Sequence, residues 1–192
     1  MAPSIRITAN DANLKIFGNQ IAALGSGQAH KALARAINRT TTTVHGRVIR
    51  AIRKQSDIPT AIIRRQIKKR LASTNIAHGG VLEGVISATG SPISLKHFRA
   101  RQFSFGVKAK WGGRWHEYQS AFMGPRPGVI APKLAGNVFV RVSSSRFPIE
   151  MLFGPSVPEE LVKGESERIF HETVATMLPQ RVRHELGLLL PG

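Results

Sequence analysis

Hydrophobic and polar positions along the chain divide it into a helical first third, a strand-rich middle and a helical end. Ser4-Ile5-Arg6-Ile7-Thr8 alternates with period two and predicts a short strand; a weak helix over about 12–24 follows, and Gly25-Ser26-Gly27 punctuates. The strongest periodic signal spans Gln28 to Gln55. At 100° per residue, Leu33, Ile37, Thr41, Val44, Val48 and Ile52 fall within one arc about 100° wide. Lys31, Arg35, Arg39, Arg50 and Arg53 fall opposite, with Lys54 and Arg47 at the flank and Ile49 on the polar side. A four-threonine run and Gly46 lower the helix propensity of the middle, so tertiary burial of the apolar stripe must hold it.

Ser56-Asp57-Ile58-Pro59 reads as a stop and a restart, with proline suited to a first helical turn where its missing N–H is harmless. The expected short helix, Pro59 to about Leu71, carries Arg64, Arg65, Lys68, Lys69 and Arg70 around Ile63, Ile67 and Leu71. Period two then takes over. Val81 to Ala88 is one strand. Arg101 to Trp111 is another, with Phe103, Phe105, Val107, Ala109 and Trp111 on one face. Gly112-Gly113 supplies the positive φ angles of a two-residue hairpin turn. That turn sets Trp111 opposite Arg114, Ala109 opposite His116, and Lys108 opposite Glu117 as a cross-strand ion pair. A Pro-rich loop over 124–136 precedes a strand at Asn137 to Val142. Ser156-Val157-Pro158-Glu159 starts a C-terminal helix that runs toward Leu189, with a kink or break expected at Pro179. The order predicts a single α+β domain over residues 1–192: a basic helical part at 28–71, a mainly antiparallel sheet at 81–142 and a C-terminal helix at 158–189.

Charge changes the picture most. The 192 residues carry 28 Lys and Arg against 11 Asp and Glu, a net +17. Residues 1–110 hold nineteen of the cations and three of the acids, whereas 111–192 hold nine and eight. From 28 to 70 the only acid among twelve cations is Asp57. A solvated helix face normally interleaves signs, since like charges at i, i+4 repel; here Lys31, Arg35 and Arg39 are stacked that way. The twelve, Lys31, Arg35, Arg39, Arg47, Arg50, Arg53, Lys54, Arg64, Arg65, Lys68, Lys69 and Arg70, are therefore the candidates to face an anionic partner. DNA, an acidic neighbouring subunit and the lumen of a larger assembly all fit such a face. With 6% aromatic residues and no zinc-finger or zipper pattern, any DNA contact is expected at phosphates and without sequence preference.

The search for chemistry gives the opposite result. The absence of cysteine excludes disulfides, thiolate metal sites and cysteine catalysis. His116, His171 and His184 are each followed by glutamate, but Ser120, Ala175 and Leu188 stand where a helical zinc pair needs a second histidine. No phosphate loop, dinucleotide fingerprint or nucleophile elbow occurs. No catalytic activity, metal or cofactor is expected. No apolar run reaches the roughly 18 residues of a membrane span, and Met1 to Asn10 lack the pattern of a secretory signal.

Three stretches carry a resemblance. The first is Ala32-Leu33-Ala34-Arg35-Ala36-Ile37-Asn38-Arg39-Thr40, continuing through Arg47 to Ile52 and Lys68-Lys69-Arg70. The second is Pro92-Ile93-Ser94-Leu95-Lys96-His97-Phe98 with Ala100-Arg101-Gln102 and Gly106-Val107. The third and most specific is Phe147-Pro148-Ile149-Glu150-Met151-Leu152-Phe153-Gly154-Pro155-Ser156-Val157-Pro158. In order and rough spacing over about residues 28–190 they are similar to the minor tail protein Z family of long-tailed bacteriophages. The resemblance implies a structural, tail-completion protein of the virion neck, added at the head-proximal end of the tail and assembled in the host cytoplasm. It implies partners of three kinds: further copies of the chain in a ring, often sixfold; adjacent tail-terminator, tail-tube or head-connector proteins; and phage DNA through its phosphates. No membrane is involved. Gly46, the threonine run and the Pro-rich loop depart from the family pattern. The expectation is that the long helix packs its apolar face on the sheet and turns its basic face outward. The alternative is a free-standing, sequence-nonspecific nucleic-acid-binding protein, which shares the charge but has no need of Gly154 to Pro158.

Overall fold

A computed structural model describes residues 3–8, 26–73, 81–129 and 131–189. The chain is α+β, with a long N-terminal helix, short helices, antiparallel sheets and a C-terminal helix. Strand β1 (Ser4–Thr8) leads to the long helix α1 (Ser26–Ser56), the short α2 (Thr60–Gln66), β2 (Ile67–Arg70) and β3 (Glu83–Ala88). Then come β4 (Arg101–Gln102), β5 (Gly106–Trp111), β6 (Arg114–Gln119), β7 (Phe139–Arg141), β8 (Ile149–Met151), α3 (Val157–Leu161) and α4 (Gly164–Gly187). The strands form three small antiparallel sheets, ordered β1-β3-β2, β4-β5-β6 and β7-β8. The helix expected over 12–24 lies outside the described residues.

Helix α1 organises the rest. Leu33, Ile37, Thr41, Val44, Val48 and Ile52 are all buried, as the periodicity requires. Strand β3 lies against this stripe, so closely that a Cβ on Gly84 would sit 2.0 Å from Thr41 Oγ1. The threonine run survives inside the helix because Thr40 and Thr41 donate back to the carbonyls of Ala36 (2.9 Å) and Ile37 (2.8 Å), so both buried hydroxyls are paired. Ile49, expected on the polar side, is buried too, as are Ala29, Ala32, Ala36 and Ala51. The reason is that α1 is covered on more than one side, by the sheet, by α4 along its length and, beside Ile49, by α2. A helix between two layers buries more than one arc, and alanines allow the second helix to approach.

Three expectations need correction. The short basic helix stops at Gln66 and not near Leu71: Ile67 turns extended (φ −99°, ψ 131°), and the chain continues as β2 beside β3. Lys68, Lys69 and Arg70 therefore line the edge of a sheet, where charge blocks further strand pairing. The strand expected from Arg101 to Trp111 is a hairpin, β4 and β5, reversing through Phe103–Gly106. Gly106 (φ +150°) is required there, because a Cβ would lie 2.1 Å from the Tyr118 carbonyl oxygen. Phe103 and Phe105 consequently sit exposed at the tip with stacked rings, while Val107 and Ala109 remain in the core. Finally, the C-terminal helix is two helices, and the break falls at Val162–Lys163 rather than at Pro179. Lys163 is extended (φ −141°, ψ 158°) and Gly164 has φ +62°, whereas α4 runs on through Pro179. Leu178, Val182 and Leu186 are buried on either side of that proline, and their burial outweighs its missing hydrogen bond.

The β5–β6 hairpin forms in the expected register, with Trp111 opposite Arg114, Ala109 opposite His116, and Lys108 Nζ 2.7 Å from Glu117 Oε1. Its turn is tied to the end of α1, where Asp57 Oδ2 accepts from the Gly113 N–H (2.8 Å). One residue pair earlier, Gln55 Nε2 donates to the Glu160 carbonyl (2.8 Å) and carboxylate (2.7 Å), fastening α1 to α3.

Candidate functional site

The C-terminal half of the chain brings its acids to the basic helix. Glu185, on α4, has a side chain only 1% exposed and lies between Arg35 Nη1 (3.6 Å) and Arg39 Nη1 (3.2 Å). These are ion pairs without hydrogen-bond geometry at Oε1. Farther along, Arg47 Nη1 donates to Thr173 Oγ1 at 3.2 Å. A groove of about 660 Å³ separates α1 from α4 in this region, with Arg47, Arg50 and Lys54 on one wall and Glu165 and Glu172 on the other. Hydrogen bonds from Arg168 hold the Glu165 carboxyl below its ordinary range, with the Lys54 charge adding a smaller push. Glu83 on β3 likewise receives Arg70 Nη2 (2.9 Å) and Arg6 Nη1 (3.4 Å). Three of the candidate cations, Arg35, Arg39 and Arg70, thus have intramolecular counter-charges.

The flank of α1 facing α2, which shares Arg50 with the groove, is different. Arg50 and Arg53 on α1 and Arg64 on α2 line a cleft of about 350 Å³ together with Gly46, Ile49 and Thr60. Among the described residues none of these three arginines forms an ion pair; Arg50 Nε donates to the Gly46 carbonyl at 3.3 Å. Beside the cleft, Lys69 Nζ reaches from β2 to Thr42 Oγ1 (3.2 Å). Half-buried His45 stands in the same region. Its imidazole is pushed below the ordinary pKa of 6.5, first by burial and then by the charges of Lys69 and Arg64. Asp57, the lone acid between residues 28 and 70, shares a small neighbouring cavity with Arg53 but makes no ion pair among the described residues, its carboxylate accepting from the Gly113 N–H.

The twelve cations do not form one continuous face. Lys31 and Arg53 are separated by roughly 33 Å along α1 at 1.5 Å per residue. Lys31, Arg65 and Lys68 are exposed and stand apart from the cleft lining. Gly46 and Thr60 line the cationic cleft and His45 stands beside it; the sequence marks none of them as part of a site. They gain significance only when α2 folds back on α1. Among the described residues there is no cluster of three or more His, Asp or Glu able to hold a metal ion, and no helix long and apolar enough to cross a membrane.

Segments 92–98 and 147–158 are brought together by the fold. Ile93 N–H donates to Pro155 O (3.3 Å), Gly154 N–H to Ile93 O (2.7 Å) and Leu95 N–H to Leu152 O (3.3 Å). Gly154 lies against the buried Phe98 ring, where a Cβ would be 2.8 Å from Cε2. Ser156 then caps α3 by accepting from Glu159 N–H (3.3 Å), and Val157 and Leu161 enter the core against α1. In comparisons with protein-family models, curated proteins and solved structures, the chain matches none.

Proposed function

We propose that this chain is a structural protein of a phage virion, a tail-completion protein at the head-proximal end of the tail that serves tail completion, head–tail joining and DNA passage. The observation that carries the reading is the convergence just described. Segments 92–98 and 147–158, distant in sequence, are hydrogen-bonded to each other and seat α3 against α1. The stretch with the most specific likeness to the minor tail protein Z family is therefore an architectural joint. A capped helix start, a glycine pressed on a phenylalanine ring and backbone pairing have mechanical rather than chemical consequences. The basic flank formed by α1, α2 and β2 stays on the outside of that joint and is available to an anionic neighbour. In this reading the chain performs no reaction and needs no cofactor, and copies of it close into a ring through heterologous contacts.

The test is location in the particle. The gene is deleted from the phage or prophage that carries it and complemented with a version bearing a small epitope, and lysates are imaged by electron microscopy with gold-labelled antibody. Label at the head-proximal end of tails, together with unjoined heads and tails in the uncomplemented deletion, is the expected result. Normal particles without the protein, or a product found only free and on DNA, would replace this reading with the free-standing nucleic-acid-binding one.

A further inference from the structure

We propose that the cleft between α1 and α2, walled by Arg50, Arg53 and Arg64, is a phosphate-binding site for the backbone of nucleic acid. This deepens the reading above by placing DNA contact at one site. It is tested on the purified protein, so that its failure is separable from a failure of the virion assignment.

Four features converge there. First, three arginines line one small concavity and have no carboxylate within ion-pairing distance among the described residues, while Arg35, Arg39 and Arg70 elsewhere do. Unpaired like charges held together by two packed helices repel, and an anion relieves that repulsion. Second, the chemistry is that of arginine, whose planar fork of donors matches phosphate oxygens. One carboxylate is saturated by one such fork; three forks on one cleft fit a group with more acceptor oxygens. Third, the floor is open. Gly46 presents no side chain, a Cβ there would meet nothing within 4 Å, and Thr60 adds a hydroxyl at the rim. A volume of about 350 Å³ is about a dozen times the roughly 30 Å³ share of one water, ample for a phosphate with part of its sugar. Fourth, cations continue on both sides of the cleft. Arg47 and Lys54 lie toward α4, and Lys69 on β2 lies beyond His45. A backbone seated at the cleft would meet further positive charge along its path, which an isolated acidic side chain would not need.

The experiment compares three proteins by fluorescence anisotropy with a labelled 20-base-pair duplex of arbitrary sequence, titrated across 50–300 mM salt. They are wild type, the cleft variant R50Q/R53Q/R64Q, and a charge-matched control, R114Q/K133Q/R183Q, altered at exposed positions away from the cleft. Each lost phosphate contact removes about 0.9 from the slope of log K against log salt. The cleft variant is expected to lose about 2–3 units of slope and roughly tenfold or more in affinity at 50 mM salt, and the control less than about one unit. Thermal melts check folding; if the triple variant is unstable, the single variants carry the comparison, each removing about one unit. Equal losses in the cleft variant and the control would overturn the proposal, since the cleft would then add only net charge. Cleft-dependent binding of poly-glutamate that equals or exceeds binding of the duplex would also overturn it, and would assign the cleft to an acidic protein.

Discussion

Arg35 and Arg39 look like ligand-facing cations in the sequence, yet both point at a buried carboxylate, and this can be measured. Replacing both with alanine leaves Glu185, 1% exposed, without its counter-charges. Removing the partner of a buried charge costs about 3–5 kcal/mol. Here the two arginine side chains are themselves 51% and 55% exposed, so their removal admits water to Glu185, and the low end, about 3 kcal/mol, is expected. For a chain of this size that is a fall in Tm of about 6–12 °C. The reverse perturbation is mild. Glu185→Gln keeps the shape and leaves behind two arginines already half in water, at a cost of about 1 kcal/mol or less. The combination R35A/R39A/E185Q should therefore be more stable than R35A/R39A by about 2 kcal/mol, because a neutral amide replaces an uncompensated carboxylate. Urea unfolding of the four proteins at pH 7 closes the cycle. A double variant within 1 kcal/mol of wild type, or a triple variant no more stable than the double, would refute the assignment of these arginines to the α1–α4 interface.

Gly46→Ala should stabilise the protein by about 0.8–1 kcal/mol, since Gly46 lies inside α1 and its added methyl meets nothing; a rise in thermal midpoint checks this. Gly154→Ala should destabilise by about 1–3 kcal/mol, because its Cβ would press on the buried Phe98 ring 2.8 Å away, and the variant should fail to complement the deletion at elevated temperature. His45 should titrate below 6.5 by NMR. Its neutral form is favoured by folding, so its contribution to stability is complete above pH 6.5 and is lost as the pH falls toward its folded value; the stability difference between wild type and His45→Gln should shrink or change sign from pH 7.5 to pH 5.5.

Much of the architecture was legible because it rests on local signals. The period of α1 is strong enough to survive four threonines and a glycine, and the paired glycines at 112–113 set the β5–β6 register residue by residue. The Ser156 cap was readable from one hydroxyl, one proline and two glutamates. The failures share a cause. Ile67 to Arg70 is helix-compatible in isolation, but β3 offers backbone partners that a helix cannot use. Phe103 and Phe105 continue a perfect alternation, yet Gly106 reverses the chain where a neighbouring strand leaves no room for a side chain. Pro179 is a helix breaker that the buried residues around it overrule.

The candidate site was legible in composition and illegible in grouping. All twelve cations were visible in the sequence, but their division into those neutralised by Glu185 and Glu83 and those lining a cleft was not.

The amino-acid order alone determined that an amphipathic helix would carry a basic flank, that antiparallel strands would follow, and that charge would dominate whatever the surface meets. Helical period, turn chemistry and charge are properties of neighbouring residues, so they can be read without coordinates. Which charges remain unpaired was decided only in three dimensions. An ion pair such as Arg39–Glu185 joins residues 146 positions apart, and the cleft exists only because α2 folds back beside α1. Electrostatic free energy depends on distance and burial, and folding is what assigns both.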